Sequence, residues 1–124
     1  KQKAIEKSDP FTSQRRYYRK DVKLDCQYRP VGLSQKVLLP GNITDISLGG
    51  IGMEIDTKNT TSYSHMKGDS FVVTIVLPNN QNLELEAKIV AVTKGESYGV
   101  LRLGMSITEI SSGSRKALGF FLMP

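Results

Sequence analysis

Apolar and polar residues alternate with a period of two over most of this chain, the period of half-buried β-strands. In the first clean run Val22, Leu24, Cys26 and Tyr28 share one face, and Lys23, Asp25, Gln27 and Arg29 share the other; Pro30-Val31-Gly32 ends it. A second strand is expected over residues 36–44, with Pro40-Gly41 as a bulge or bend. Ile51, Met53 and Ile55 mark a third, and a polar loop follows from Asp56 to Asp69. Phe71, Val73, Ile75 and Leu77 mark a fourth strand, closed by a turn at Pro78-Asn79-Asn80-Gln81. Leu83, Leu85, Ala87, Ile89 and Ala91 against Glu84, Glu86 and Lys88 form the longest strand signal. After a turn at Lys94-Gly95-Glu96-Ser97, Leu101, Leu103, Met105 and Ile107 alternate with Arg102, Gly104 and Ser106. Short, evenly spaced strands with compact turns predict an all-β fold, a small antiparallel barrel whose closure leaves no exposed edge. From Glu109 the period changes. Ile110, Ala117, Leu118, Phe121 and Leu122 have near-helical spacing, so a short C-terminal helix, capped by Ser111 or Ser112, is expected over one barrel end. Gly113 and Gly119 weaken that signal.

A chain of 124 residues makes one domain with a core of its own. No apolar run approaches membrane-spanning length, so no membrane insertion by this segment is expected, and there is no signal-peptide pattern. The chain begins at Lys1; residues 1–14, polar and containing Pro10, are expected to be a linker or the end of a preceding domain. The net charge of +5 is unevenly placed, because residues 1–29 hold nine Lys/Arg against four Asp/Glu while the remainder is balanced. A basic arm on a neutral body points to an anionic partner. The single cysteine, Cys26, sits in a strand pattern as a small core residue, and the single histidine, His65, has no partner histidine; neither supports a metal site. Glu84 and Glu86 read as a solvated strand face, and no nucleophile–base pair or P-loop is present, so no enzyme is expected.

Two motifs carry the candidate chemistry. Arg15 and Arg19 end an R-x-x-x-R segment, and Asp45, Ser47 and Gly50 form D-x-S-x-x-G. In this order, ahead of an all-β run with a terminal helix, they resemble the signature of the PilZ domain family, bacterial receptors for cyclic di-GMP. The resemblance covers roughly Arg15 to Leu122 and implies a domain over residues 15–124, folded as a six-stranded, Greek-key-like β-barrel. It implies cyclic di-GMP as ligand, no cofactor, and a cytoplasmic bacterial setting. It also implies that Arg15 and Arg19 take guanine Hoogsteen edges and phosphate oxygens, a match of forked donors to paired acceptors. Arg16 adds a phosphate or stacking contact. By the same resemblance Asp45 is expected to accept from a guanine or steer an arginine, Ser47 to anchor the turn or a ligand edge, and Gly50 to permit close backbone approach or to take a positive φ without a Cβ penalty. Arg102, in the late strand, faces outward toward ligand. The ligand is expected to order the arginine arm and to re-aim a neighbouring domain or protein partner. The alternatives are an adaptor of the same fold without nucleotide, or a small basic barrel binding single-stranded nucleic acid. A neutral barrel with few aromatics off the core-facing positions argues against RNA or DNA.

Overall fold

The computed structural model describes residues 18–33, 36–59 and 63–123. Six strands form: β1 (Lys20–Pro30), β2 (Leu39–Ile46), β3 (Gly50–Asp56), β4 (Ser70–Val76), β5 (Asn82–Lys94) and β6 (Val100–Ile110). A short 3-10 turn follows β3 at Thr57–Asn59, and the helix α1 (Ser112–Leu122) follows β6. The strands close into an antiparallel barrel in the order β1-β2-β3-β6-β5-β4, with β4 returning to pair with β1. Two three-stranded meanders are therefore joined by the long β3–β4 connection, which brings β4 back beside β1; this is the Greek-key path.

Period-two alternation builds the core. Leu24, Cys26 and Tyr28 of β1, Ile43 and Ile46 of β2, and Ile51, Met53 and Ile55 of β3 point inward. They meet Phe71, Val73, Ile75, Leu83, Leu85, Ala87, Ile89, Leu103 and Met105 from the other meander. The outer faces are mostly polar, with Val76, Val90 and Val92 among the exposed exceptions. Antiparallel pairing places the start of β1, the β2–β3 turn and the end of β6 at one barrel end. The helix continues from β6 there and adds Leu118 and Leu122 to the core. Ser111 is its N-cap, its hydroxyl accepting from the Ser114 amide at 3.1 Å. Burying two leucines, at about 1.5–3 kcal/mol each, outweighs the roughly 1 kcal/mol that each of Gly113 and Gly119 costs the helix. Lys20 fastens the C-terminal turn: its ammonium donates to the Phe121 carbonyl at 3.2 Å and lies 4.3 Å from the Phe121 ring centroid.

The opposite end is closed by the β3–β4 connection. His65 stacks on Phe71 with centroids 5.3 Å apart, and its Nε2 lies 2.8 Å from the Tyr28 hydroxyl. Its Nδ1 lies 2.8 Å from the Tyr63 carbonyl. A carbonyl only accepts, so Nδ1 carries a proton; with the ring neutral, Nε2 is then the acceptor for the Tyr28 hydroxyl.

Register shifts fall between Asp21 and Leu24 of β1, at Thr44 of β2, and between Glu86 and Ala87 and at Val90 of β5; those at Thr44 and Val90 change the strand pattern expected from sequence. The second strand runs over Leu39–Ile46 rather than 36–44, and Pro40 and Gly41 lie in unbroken register opposite Gln27 and Cys26. Gly41 points inward, where a Cβ would stand 3.0 Å from Met53 Sδ and 3.1 Å from Cys26 Sγ; the two sulfurs occupy the space a side chain would take. The bulge falls at Thr44 instead, between the pairs Ile43–Met53 and Asp45–Gly52. In β5, Ala91 is exposed rather than part of the core, because Val90 is an extra residue between the pairs Ile89–Met105 and Ala91–Gly104.

Candidate functional site

The bulge at Thr44 decides the site. Ile43 points into the barrel, so strict alternation would aim Asp45 inward as well. One extra residue reverses the parity: Ile46 takes the core position opposite Ile51, and Asp45 emerges on the outer face above Gly52. There the Asp45 side chain is 11% exposed and well partnered. Arg102 Nη2 of β6 donates to Oδ2 at 2.5 Å, the Thr44 hydroxyl donates to the same oxygen at 3.3 Å, and Arg19 Nε lies 3.8 Å from Oδ1. One carboxylate thus gathers two guanidiniums from opposite sides of β3. Their side chains remain 42% exposed for Arg102 and 68% for Arg19, so both keep donors free for a ligand.

Ser47 shapes the turn beside them. Its hydroxyl accepts from the amides of Gly49 at 3.2 Å and Gly50 at 3.1 Å, while its own amide donates to the Gly50 carbonyl at 2.9 Å. The side chain substitutes for a backbone acceptor and so holds a tight connection between β2 and β3. Gly50 answers a different demand. A Cβ there would stand 2.7 Å from the Met105 carbonyl oxygen, so its absence lets β3 lie close against β6. Its φ is not in the left-handed region, which Gly32, Gly68 and Gly99 occupy. Of the two roles open to this glycine, close approach is the one it fills.

A cavity of about 360 Å³ joins these residues. Arg19, Asp45 and Arg102 line it together with Ser47, Val90 and Ser106, and Gly50, Gly52 and Gly104 complete the lining. Gly52 and Gly104 are direct cross-strand partners. The rim supplies forked guanidinium donors for a paired-acceptor edge or for phosphate oxygens. A larger, shallower groove of about 930 Å³ lies beside the start of α1, but its charged lining is Arg29, Glu84, Glu86, Glu109 and Arg115. Three carboxylates against two cations suit an anion poorly, and the signature residues lie in the smaller cavity.

Of the residues expected from sequence, Arg19, Asp45, Ser47, Gly50 and Arg102 line one site. Arg15 and Arg16 lie outside the described residues. Gly52, Gly104 and Val90 were not anticipated. A partial signal existed: Gly52 shares its parity with Gly50 and Glu54, and Gly104 with Arg102 and Ser106, so both glycines belong to outward faces. Only the register between β3 and β6 puts them side by side. Cys26 takes no part; burial, then the neighbouring Asp25, pushes its thiol up to about 12. Among the described residues no group of three or more His, Cys, Asp or Glu is placed to hold a metal ion, and no helix is long and apolar enough to cross a membrane.

The family model of the PilZ domain matches residues 13–123. The chain belongs to the PilZ domain family. The inhibitor of motility MotI/DgrA from Bacillus subtilis has a similar fold, with a TM-score of 0.69 and 24% identity over 86% of this chain and 48% of that one. The PilZ domain of Escherichia coli YcgR, solved with c-di-GMP, gives a TM-score of 0.68 at 18% identity over 88% of each chain. The MrkH–c-di-GMP complex of K. pneumonia gives 0.59 at 18% identity, over 86% of this chain and 49% of that one. This PilZ domain thus spans about half the length of the MotI/DgrA and MrkH chains. No curated protein matches it.

Proposed function

We propose that this PilZ domain is a receptor for cyclic di-GMP, which binds in the cavity around Asp45. The observation that carries this reading is the shared carboxylate: Asp45 holds Arg102 and stands beside Arg19 at the rim of the cavity. YcgR and MrkH, both of this fold, are solved with c-di-GMP. Two guanidiniums against one carboxylate leave the site net positive toward a dianionic ligand. The guanine O6 and N7 acceptors lie side by side and match an arginine fork, while its N1–H and N2–H donors match a carboxylate. Arg15 and Arg16, on the segment ahead of β1, add cation for the phosphodiesters. Ligand binding orders this arm, because the arm is basic and the ligand supplies negative charge and flat surfaces. The ordered arm re-aims a neighbouring domain or presents a new surface to a protein partner in the bacterial cytoplasm, an order–disorder switch. The ordering cost holds affinity near the micromolar range, on the order of −8 kcal/mol. The domain acts by binding, and no catalytic step is part of the proposal.

Isothermal titration calorimetry with cyclic di-GMP, with GMP as control, tests the reading. Saturable binding is expected for the wild-type chain. Arg19→Ala removes one fork and is expected to lose about 1–3 kcal/mol, roughly 5- to 150-fold in affinity. Wild-type affinity in Arg19→Ala would remove the arginine mechanism, and absence of binding by the wild-type chain would remove the receptor reading.

A further inference from the structure

We infer that Gly52 is a positioning residue of the ligand site: its missing side chain is the space in which the Asp45 carboxylate stands to hold Arg102 and Arg19. The inference rests on the receptor reading for its functional consequence and on geometry alone for its structural one. The outward positions of β3 and β6 around the cavity carry three glycines, and each meets different surroundings. A Cβ on Gly50 would strike the Met105 backbone carbonyl at 2.7 Å, which concerns the spacing of the strands. A Cβ on Gly104 would lie 3.6 Å from the Ala91 Cβ, an ordinary contact. A Cβ on Gly52 would overlap Asp45 Oδ2, stand 3.0 Å from its Cγ and 3.1 Å from Thr44 Oγ1.

The atom in the way at Gly52 is therefore the oxygen that accepts from Arg102. A carboxylate at the end of a short side chain relieves the overlap by rotating, at little cost to the barrel. It then leaves the line between the two guanidiniums. Arg102, 42% exposed, turns to solvent, and Arg19, already 68% exposed, loses the carboxylate that faces it at 3.8 Å. Gly52 thus acts through Asp45, and its substitution disorders the rim while leaving the strands in register.

A double-mutant design separates this from a merely structural role. The affinity for cyclic di-GMP is measured calorimetrically in Gly52→Ala, Asp45→Ala and the combined variant. Gly52→Ala is expected to bind about 5-fold or more weakly, comparable to losing a positioned arginine contact, with an unfolding midpoint near wild type. The combined variant is expected to bind no more weakly than Asp45→Ala, because the methyl group then displaces nothing. Wild-type affinity in Gly52→Ala, or losses that add in the combined variant, would overturn the inference while leaving the receptor reading in place. A second measurement needs no ligand. The coupling between Asp45→Ala and Arg102→Ala in urea unfolding is determined with glycine at position 52 and again in a Gly52→Ala background. Loss of that coupling in the second background supports the inference even if the wild-type chain binds no cyclic di-GMP, and its persistence overturns it.

Discussion

Asp45 is asked to do unequal work for its two arginines, and a double-mutant cycle measures the inequality. The Arg102 contact is a charge-assisted hydrogen bond of 2.5 Å to a carboxylate whose side chain is 11% exposed. A hydrogen bond to a charged group contributes about 1.5–3 kcal/mol when sheltered, and an exposed ion pair about 0–1 kcal/mol. With its guanidinium side 42% exposed, the pair falls between these limits, and the expected Asp45–Arg102 coupling is about 1 kcal/mol. The Arg19 contact is 3.8 Å long with a side chain 68% exposed, so no measurable coupling is expected from it. The assay is urea unfolding of wild type, Asp45→Ala, Arg102→Ala and the double variant, with Arg19→Ala in a parallel cycle. At m of about 1–3 kcal/mol/M, a coupling of about 1 kcal/mol displaces the midpoint by roughly 0.3–1 M, within reach of the method. Added salt is expected to reduce the coupling only modestly, since the carboxylate is sheltered. Additive Asp45→Ala and Arg102→Ala effects, or an Arg19 coupling as large as that of Arg102, would refute the claim that the bulged aspartate is a fixed anchor for β6 and a loose one for the arm.

Gly50→Ala drives a methyl group onto a backbone carbonyl that cannot rotate away, so it is expected to destabilise the barrel by about 1–3 kcal/mol, read as a lowered thermal midpoint by circular dichroism. The Cys26 thiol, 4% exposed and pushed up to about 12, is expected to resist alkylation at neutral pH until the chain unfolds; rapid native labelling would contradict its placement. Asp69 is held below its ordinary 3.8, chiefly by the Ser64 hydroxyl and then by the Met66 amide. A lowered carboxyl contributes stability that is present above 3.8 and is lost as pH falls through its folded-state value. Asp69→Asn is accordingly expected to flatten the acid limb of a stability–pH profile, and an unchanged limb would show that the β3–β4 connection is held by other contacts.

Much of this molecule is written in local pattern. Alternation along β1, β3, β4 and β6 is legible because a strand shows one face to the core and one to water, and each residue reports its own face. The terminal helix is equally legible, from the change of period after Glu109 and the serine that caps it. The signature residues stand out by type: arginines for forked donors, and an aspartate, a serine and a glycine about a turn. The bulges are another matter. An extra residue at Thr44 or Val90 has no mark of its own, since it exists only relative to the partner strand, and Pro40-Gly41 drew the expectation because those residue types often accompany a bend. The roles within the motif were hidden for the same reason. Ser47 binds its own turn, Gly50 yields to a carbonyl fifty-five residues away in sequence, and Asp45 reaches Arg102 across β3. The sequence by itself determined which residues seek the core and which bear charge, because hydrophobicity and charge belong to single side chains. The tertiary structure alone decided that Asp45 faces outward over Gly52 and holds two arginines, because register and close contact are relations between strands.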